Sequence, residues 1–130
     1  MYKIKEMLRN EFYELKTLKP VGGSENEYEA FIRLNKDSAI FKGHFPGNPV
    51  APGVCMVQIL KELTSEITNT KLTMQSVSNI KFMALINPEV NPDIKFSIVI
   101  KQENGTVQVK NACYFDETIA LKMGIKYSII

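Results

Sequence analysis

The chain predicts an α+β domain in which antiparallel strands pack on one long helix, and three observations predict it. The second half is built of long segments that alternate apolar and polar residues. Helical spacing occurs in one substantial stretch near the middle, at Met56, Leu60, Leu63 and Ile67. Asn104-Gly105, between two of the alternating segments, is a tight-hairpin signal. At 130 residues the chain suits a single domain, 1–130, able to bury a core without metal or disulfide support.

In chain order, Ile4, Met7 and Leu8 fall on one helical face, which predicts an N-terminal cap helix within residues 1–10. Charges there are too dense for a secretory apolar core, and no apolar run approaches membrane-spanning length, so a cytoplasmic protein without membrane insertion is expected. A less securely patterned strand is expected over residues 12–18, then a turn at Gly22-Gly23-Ser24. The next strand, Glu27–Leu34, sets Tyr28, Ala30, Ile32 and Leu34 against Glu27, Glu29, Phe31 and Arg33. Pro52 suits the first turn of a helix over residues 52–68. Strands are then expected over residues 76–83, 94–103, 107–115 and 119–129, divided by Asn87-Pro88, Asn91-Pro92-Asp93 and Asn104-Gly105.

Sixteen Lys/Arg and fourteen Asp/Glu give a formal charge of +2, mixed along the chain without a basic tract. Nucleic-acid binding is therefore not expected, while an acidic carrier protein is an acceptable partner. Two cysteines, Cys55 and Cys113, lie far apart and read as reduced thiols in the core. Cys55 falls in the first turn of the expected helix, but no second histidine is present to activate it as a nucleophile.

Residues 41–54, FKGHFPGNPVAPGV, hold the only histidine, His44, in a loop stiffened by Pro46, Pro49 and Pro52. An imidazole titrates near neutral pH, so a rigidly held His44 beside a helix start is suited to proton transfer. From His44 to Val54 the chain matches, at every fixed position, the signature His-Phe-Pro-Gly-x-Pro-x-x-Pro-Gly-Val. In this it resembles the hotdog-fold 3-hydroxyacyl-acyl-carrier-protein dehydratases of fatty acid synthesis. The resemblance implies a hotdog fold, an antiparallel sheet wrapped around one central helix. It covers most of the chain from about Tyr28, although only residues 41–58 carry a motif.

In that family the histidine removes the α-proton of a 3-hydroxyacyl thioester. A Glu or Asp of the partner subunit's helix, fourteen residues after the histidine, protonates the departing hydroxyl; here that position is Gln58. The resemblance thus implies His44 as base and leaves an amide, which cannot release a proton in this pH range, at the acid position. The N–H of Gly53, at a helix start, is the expected holder of the thioester oxygen. Phe45, Pro52, Val54 and Met56 are the expected substrate contacts, Phe45 also being placed to pack beneath the loop. Glu62, one turn beyond Gln58, is expected to be a solvated residue, its rival role being the missing acid.

A dehydratase-like enzyme of fatty acid or related lipid biosynthesis is the expected function, acting on a thioester of acyl carrier protein or coenzyme A. No metal or dissociable cofactor is expected, because phosphopantetheine arrives with the substrate. The resemblance implies a homodimer, or a heterodimer with another hotdog subunit, with an acyl tunnel at the interface. The alternative, raised by Gln58, is a non-catalytic acyl-binding or scaffolding subunit of a heteromeric complex. A thioesterase of the same fold would need a differently placed carboxylate or water.

Overall fold

In a computed structural model of the chain, the described residues are 8–43, 47 and 49–130. Six strands form one antiparallel sheet in the order β1-β2-β4-β5-β6-β3. They are β1 (Tyr13–Pro20), β2 (Glu27–Leu34), β3 (Leu72–Phe82), β4 (Asp93–Glu103), β5 (Thr106–Phe115) and β6 (Thr118–Ile129). A single-turn helix, α1 (Ala39–Lys42), and the long helix, α2 (Gly53–Thr68), lie between β2 and β3.

Alternation decides which face of the sheet is buried. Ala30 and Ile32 of β2, Ile94, Phe96 and Ile98 of β4, Val107 and Val109 of β5, and Leu121, Met123, Ile125 and Tyr127 of β6 are buried on one side. Met56, Ile59, Leu60 and Leu63 of α2 recur at helical spacing and are buried with them in one core. Burying each large side chain contributes about 1.5–3 kcal/mol relative to exposure, and this holds α2 across the sheet. The helix ends at Asn69, which takes a left-handed φ of 53° while its N–H and that of Thr70 close on Glu66 and Ser65 carbonyls. At the β4–β5 turn both Asn104 (φ 50°) and Gly105 (φ 76°) are left-handed, the conformation that an Asn-Gly hairpin turn requires.

Two expectations need correction, and a third lies mostly outside the described residues. The first strand begins at Tyr13, because Phe12 is instead buried in the preceding turn, stacked on Phe41 of α1 with ring centroids 4.8 Å apart. β3 starts at Leu72, four residues before the expected residue 76, because it pairs with β6 along nearly its whole length although its side chains are mostly exposed on both faces. Within the expected cap helix, residues 1–7 lie outside the described residues. Asn10, at φ 70° and in a turn, is not helical. No helix of the described residues is long and apolar enough to cross a membrane.

Candidate active site

The chain is anchored on either side of the motif loop. Ser38 caps α1 by accepting the Ile40 N–H, and Phe41 buries itself on Phe12, which fixes the approach. On the far side the Ala51 N–H donates to the Ile86 carbonyl at 2.8 Å, and Pro52 begins α2. His44 and Phe45, together with Pro46 and Asn48, lie outside the described residues.

Among the described residues no side chain caps the start of α2. The N–H groups of Cys55 and Met56 turn back to the Pro52 carbonyl, at 3.0 and 3.3 Å. Those of Gly53 and Val54, at the first two positions of the helix, bond to no backbone carbonyl among the described residues and sit at the positive end of the helix dipole. Gly53 lets the Phe82 ring approach the helix closely. A β-carbon there would lie 2.5 Å from the Cζ of Phe82, whose ring rests on the helix start. Beside this contact opens a cleft of about 490 Å³, with Pro52, Gly53 and Met56 on one wall and Phe82, Met83 and Leu121 on the other. Its lining is mostly apolar, suited to an acyl chain, with backbone donors at its helical end.

Val54 and Gln58 are not part of that cleft. Val54 is 75% exposed, and with about 100° of rotation per residue it stands about 200° from Met56. Gln58, four residues on, shares the Val54 flank and lines a different depression, with Arg9, Lys61 and Glu62. Its Nε2 donates to Glu62 Oε2 at 2.9 Å.

Glu62 is not the solvated residue that its sequence position suggests. Besides Gln58, it accepts the Leu8 N–H at 2.7 Å, the Arg9 N–H at 3.2 Å and the Tyr13 hydroxyl at 2.8 Å. All four partners are donors, so the carboxylate works as an acceptor that ties the chain's beginning to α2. Tyr13 is buried at the start of β1. Burial first, and the neighbouring Glu62 charge second, hold its phenol above the ordinary range. Arg9 completes the cluster with an ion pair to Glu66 at 2.6 Å. Sequence reasoning missed Tyr13 and the residue 8–9 backbone. No local signal marks contacts between residues 49 to 54 positions apart.

Comparison with known proteins gives the family and the fold. Residues 21–119 match the ApeI-like family model, described as ApeI dehydratase. The chain belongs to the ApeI-like dehydratase family. It is 30% identical over 115 residues to the 3-hydroxyacyl-[acyl-carrier-protein] dehydratase FabZ of Thermotoga maritima, covering 79% of this chain and 80% of that one. Among solved structures it resembles an uncharacterized protein from Erwinia carotovora subsp. atroseptica, with a TM-score of 0.71 at 20% identity over 91% of this chain and 97% of the other. It also resembles the dehydratase heterocomplex ApeI:P from Xenorhabdus doucetiae, with a TM-score of 0.66 at 19% identity over 85% and 98%. These two likenesses establish the hotdog fold. The motif from His44 to Val54, and with it the helix start at Gly53, lies inside the ApeI-like match.

Proposed function

We propose that this chain is a 3-hydroxyacyl thioester dehydratase of fatty acid or related lipid biosynthesis, acting in the cytoplasm, whose active site is completed by a non-identical hotdog subunit. The reading rests on one observation above all: Gly53 and Gln58 face opposite flanks of α2. A site using a donor from one flank and the acid position from the other has to draw them from two subunits.

His44 removes a proton from C2 of the acyl group, and the resulting negative charge moves onto the thioester oxygen, which the Gly53 N–H holds. The C3–oxygen bond breaks and hydroxide leaves as water on receiving a proton, which gives the enoyl thioester. Gln58 cannot supply that proton. A partner subunit with a carboxylate at the equivalent helix position supplies it, while this chain provides His44, Gly53 and the apolar cleft for the acyl chain. General acid assistance is worth about 10²- to 10⁴-fold, so the chain alone is expected to be slow by that factor. Protein groups carry the chemistry, phosphopantetheine arriving with the substrate from acyl carrier protein or coenzyme A.

Two features support a second subunit. β3 is a sheet edge of eleven residues with Met74, Val77 and Phe82 exposed, an open template for another strand. Val54, exposed on the Gln58 flank, is an apolar contact such a subunit would cover. The Xenorhabdus structure is itself a dehydratase heterocomplex.

The test is mass-spectrometric conversion of 3-hydroxyacyl-carrier protein to the enoyl product. It would compare the chain alone, its His44→Ala and Gln58→Glu variants, and the chain with hotdog subunits co-purified from its host. The expected result is slow turnover alone, a faster rate with the partner, and no turnover in His44→Ala under either condition. A fast rate from the self-associated chain alone would remove the need for a partner, and turnover that survives His44→Ala would overturn the mechanism.

A further inference from the structure

The outer face of the sheet, away from α2, divides into two halves that treat charge differently. In the half containing β1, β2 and β4, three basic side chains meet carboxylates, Arg33 with Asp93 at 2.9 Å, Lys16 with Glu14 at 2.9 Å and Lys95 with Glu29 at 3.9 Å, while Lys19 and Lys101 are in no ion pair among the described residues. In the half containing β5, β6 and β3, register collects lysines instead. Lys81 stands directly opposite Lys122, Gln108 and Ser76 flank Lys126, and Lys110 faces Gly124 between the two β6 lysines. Among the described residues none of these four lysines is in an ion pair. Like charges placed directly across an antiparallel pair repel, so this half of the sheet is built at a cost that a bound anion would relieve.

A recess of about 400 Å³ lies at that spot, walled by Lys110, Lys122 and Lys126 with Ser76, Asn79 and Gln108 between them. Gly124 forms its floor. A β-carbon there would collide with Ser78 Oγ and Asn79 Oδ1, so a glycine lets these side chains lie against the strand. The Ser78 hydroxyl donates its one proton to the Gly124 carbonyl at 3.1 Å, and the neighbouring Asn79 brings an amide NH₂ as a further donor. Register shifts in β3 at Met74/Ser76 and Val77/Asn79 accompany this placement of Ser76, Ser78 and Asn79.

We propose that this recess is a binding site for a phosphate ester. Three ammonium groups set around neutral N–H and O–H donors match a compact dianion with several acceptor oxygens. A soluble ester is favoured over a membrane headgroup, because an interfacial surface needs apolar anchors beside its basic residues. On β3 the exposed apolar residues Met74, Val77 and Phe82 pair with the inward-facing Tyr127, Ile125 and Leu121, and so belong to the other face of the sheet.

The test is an amide NMR titration of the full chain with glycerol 3-phosphate, using sodium chloride at equal ionic strength as reference. A parallel arm co-sediments the chain with phosphatidylglycerol–phosphatidylcholine vesicles. Saturable shifts are expected at Ser76, Asn79, Lys110 and Gly124, weakened about tenfold or more in Lys122→Glu and unchanged in Lys16→Glu. The spectrum of each variant reports its fold, and Lys122→Gln provides a second variant should charge reversal unfold the chain. Shifts that chloride reproduces, equal loss in Lys16→Glu, wild-type binding in both Lys122 variants, or retention only by vesicles would each overturn the proposal.

Discussion

The two flanks of α2 are made of different materials. On one, Gly53 and Met56 meet Phe82 and Leu121 in an apolar cleft whose polar groups are backbone N–H donors. On the other, Gln58 and Glu62 meet Tyr13 and the Leu8–Arg9 backbone in a closed set of hydrogen bonds. The cleft is open and suited to a substrate, while the polar flank already has its acceptors filled by donors from its own chain. The difference teaches that Glu62 cannot be read as a stand-in for the missing acid, despite being the nearest carboxylate. It is the tether that keeps the Gln58 amide in one orientation, NH₂ toward the carboxylate.

Gln58→Glu should break this comparison most. The new carboxyl would sit where Nε2 now meets Glu62, and two carboxylates at that distance cannot both ionise without mutual penalty, so one pKa rises. A raised carboxyl is a competent general acid, and the variant alone should turn over at least about tenfold faster than the wild type. The sign for stability follows: a carboxyl whose folded pKa is raised stabilises below its unfolded pKa and loses that contribution as pH rises through the folded value. The variant should therefore lose stability relative to the wild type as pH climbs from 5 to 8, measured by urea unfolding. A flat difference would show that the two groups do not face each other.

Glu62→Ala should come next, acting on stability. It strands the Tyr13 hydroxyl and two backbone N–H groups, and each unsatisfied donor away from water costs about 1–3 kcal/mol. Partial exposure lets water reach some of them, so a net loss of about 2 kcal/mol is expected in denaturant unfolding. Glu62→Gln should lose less, since one amide oxygen still accepts. A loss within 0.5 kcal/mol, the ordinary range for a surface change, would return Glu62 to a solvated role.

Gly53→Ala tests the opposite flank. Its methyl group enters the space of the Phe82 ring, which is 58% exposed and therefore free to swing outward. The stability change should stay near 1 kcal/mol, small beside Glu62→Ala. Phe82→Ala should cancel most of it in a double-mutant cycle, because the two residues touch. Additive effects would mean that the ring does not rest on the helix start.

How legible each flank was follows from sequence distance and pattern. The hairpin of β4 and β5 and the long alternation of β6 are local signals, and they gave the sheet. The first four residues of β3, 72–75, had no such signal. In Leu72–Phe82 both faces are largely exposed, so no burial alternation marks it, and backbone pairing to β6 defines the strand. The motif likewise announced the Gly53 helix start, because the constraints on Pro52 and Gly53 are local. Glu62 looked like any surface helix residue, since three of its four donors come from 49 to 54 positions earlier. The lysines of the outer face, scattered among carboxylates in sequence, gathered only when register placed Lys81 beside Lys122.

Cys55 lies between the flanks and should have the smallest effect. It is buried in the first turn of α2, where the helix dipole alone would lower a thiol's pKa. Burial outweighs the dipole, and with the charge of Glu11 as the second cause it pushes the thiol up to about 11 from an ordinary 9.0. A raised pKa favours the neutral thiol in the folded chain. Its contribution to stability is thus fully present below pH 9 and is lost as pH rises through about 11. Iodoacetamide should label Cys55 in the folded chain very slowly at pH 8, with a rate that climbs only toward pH 11, and Cys55→Ala should leave dehydration unchanged. Rapid labelling at pH 8 together with loss of turnover in Cys55→Ala would put a nucleophile at the start of the helix. The cleft would then be serving covalent chemistry that neither flank, as described, provides for.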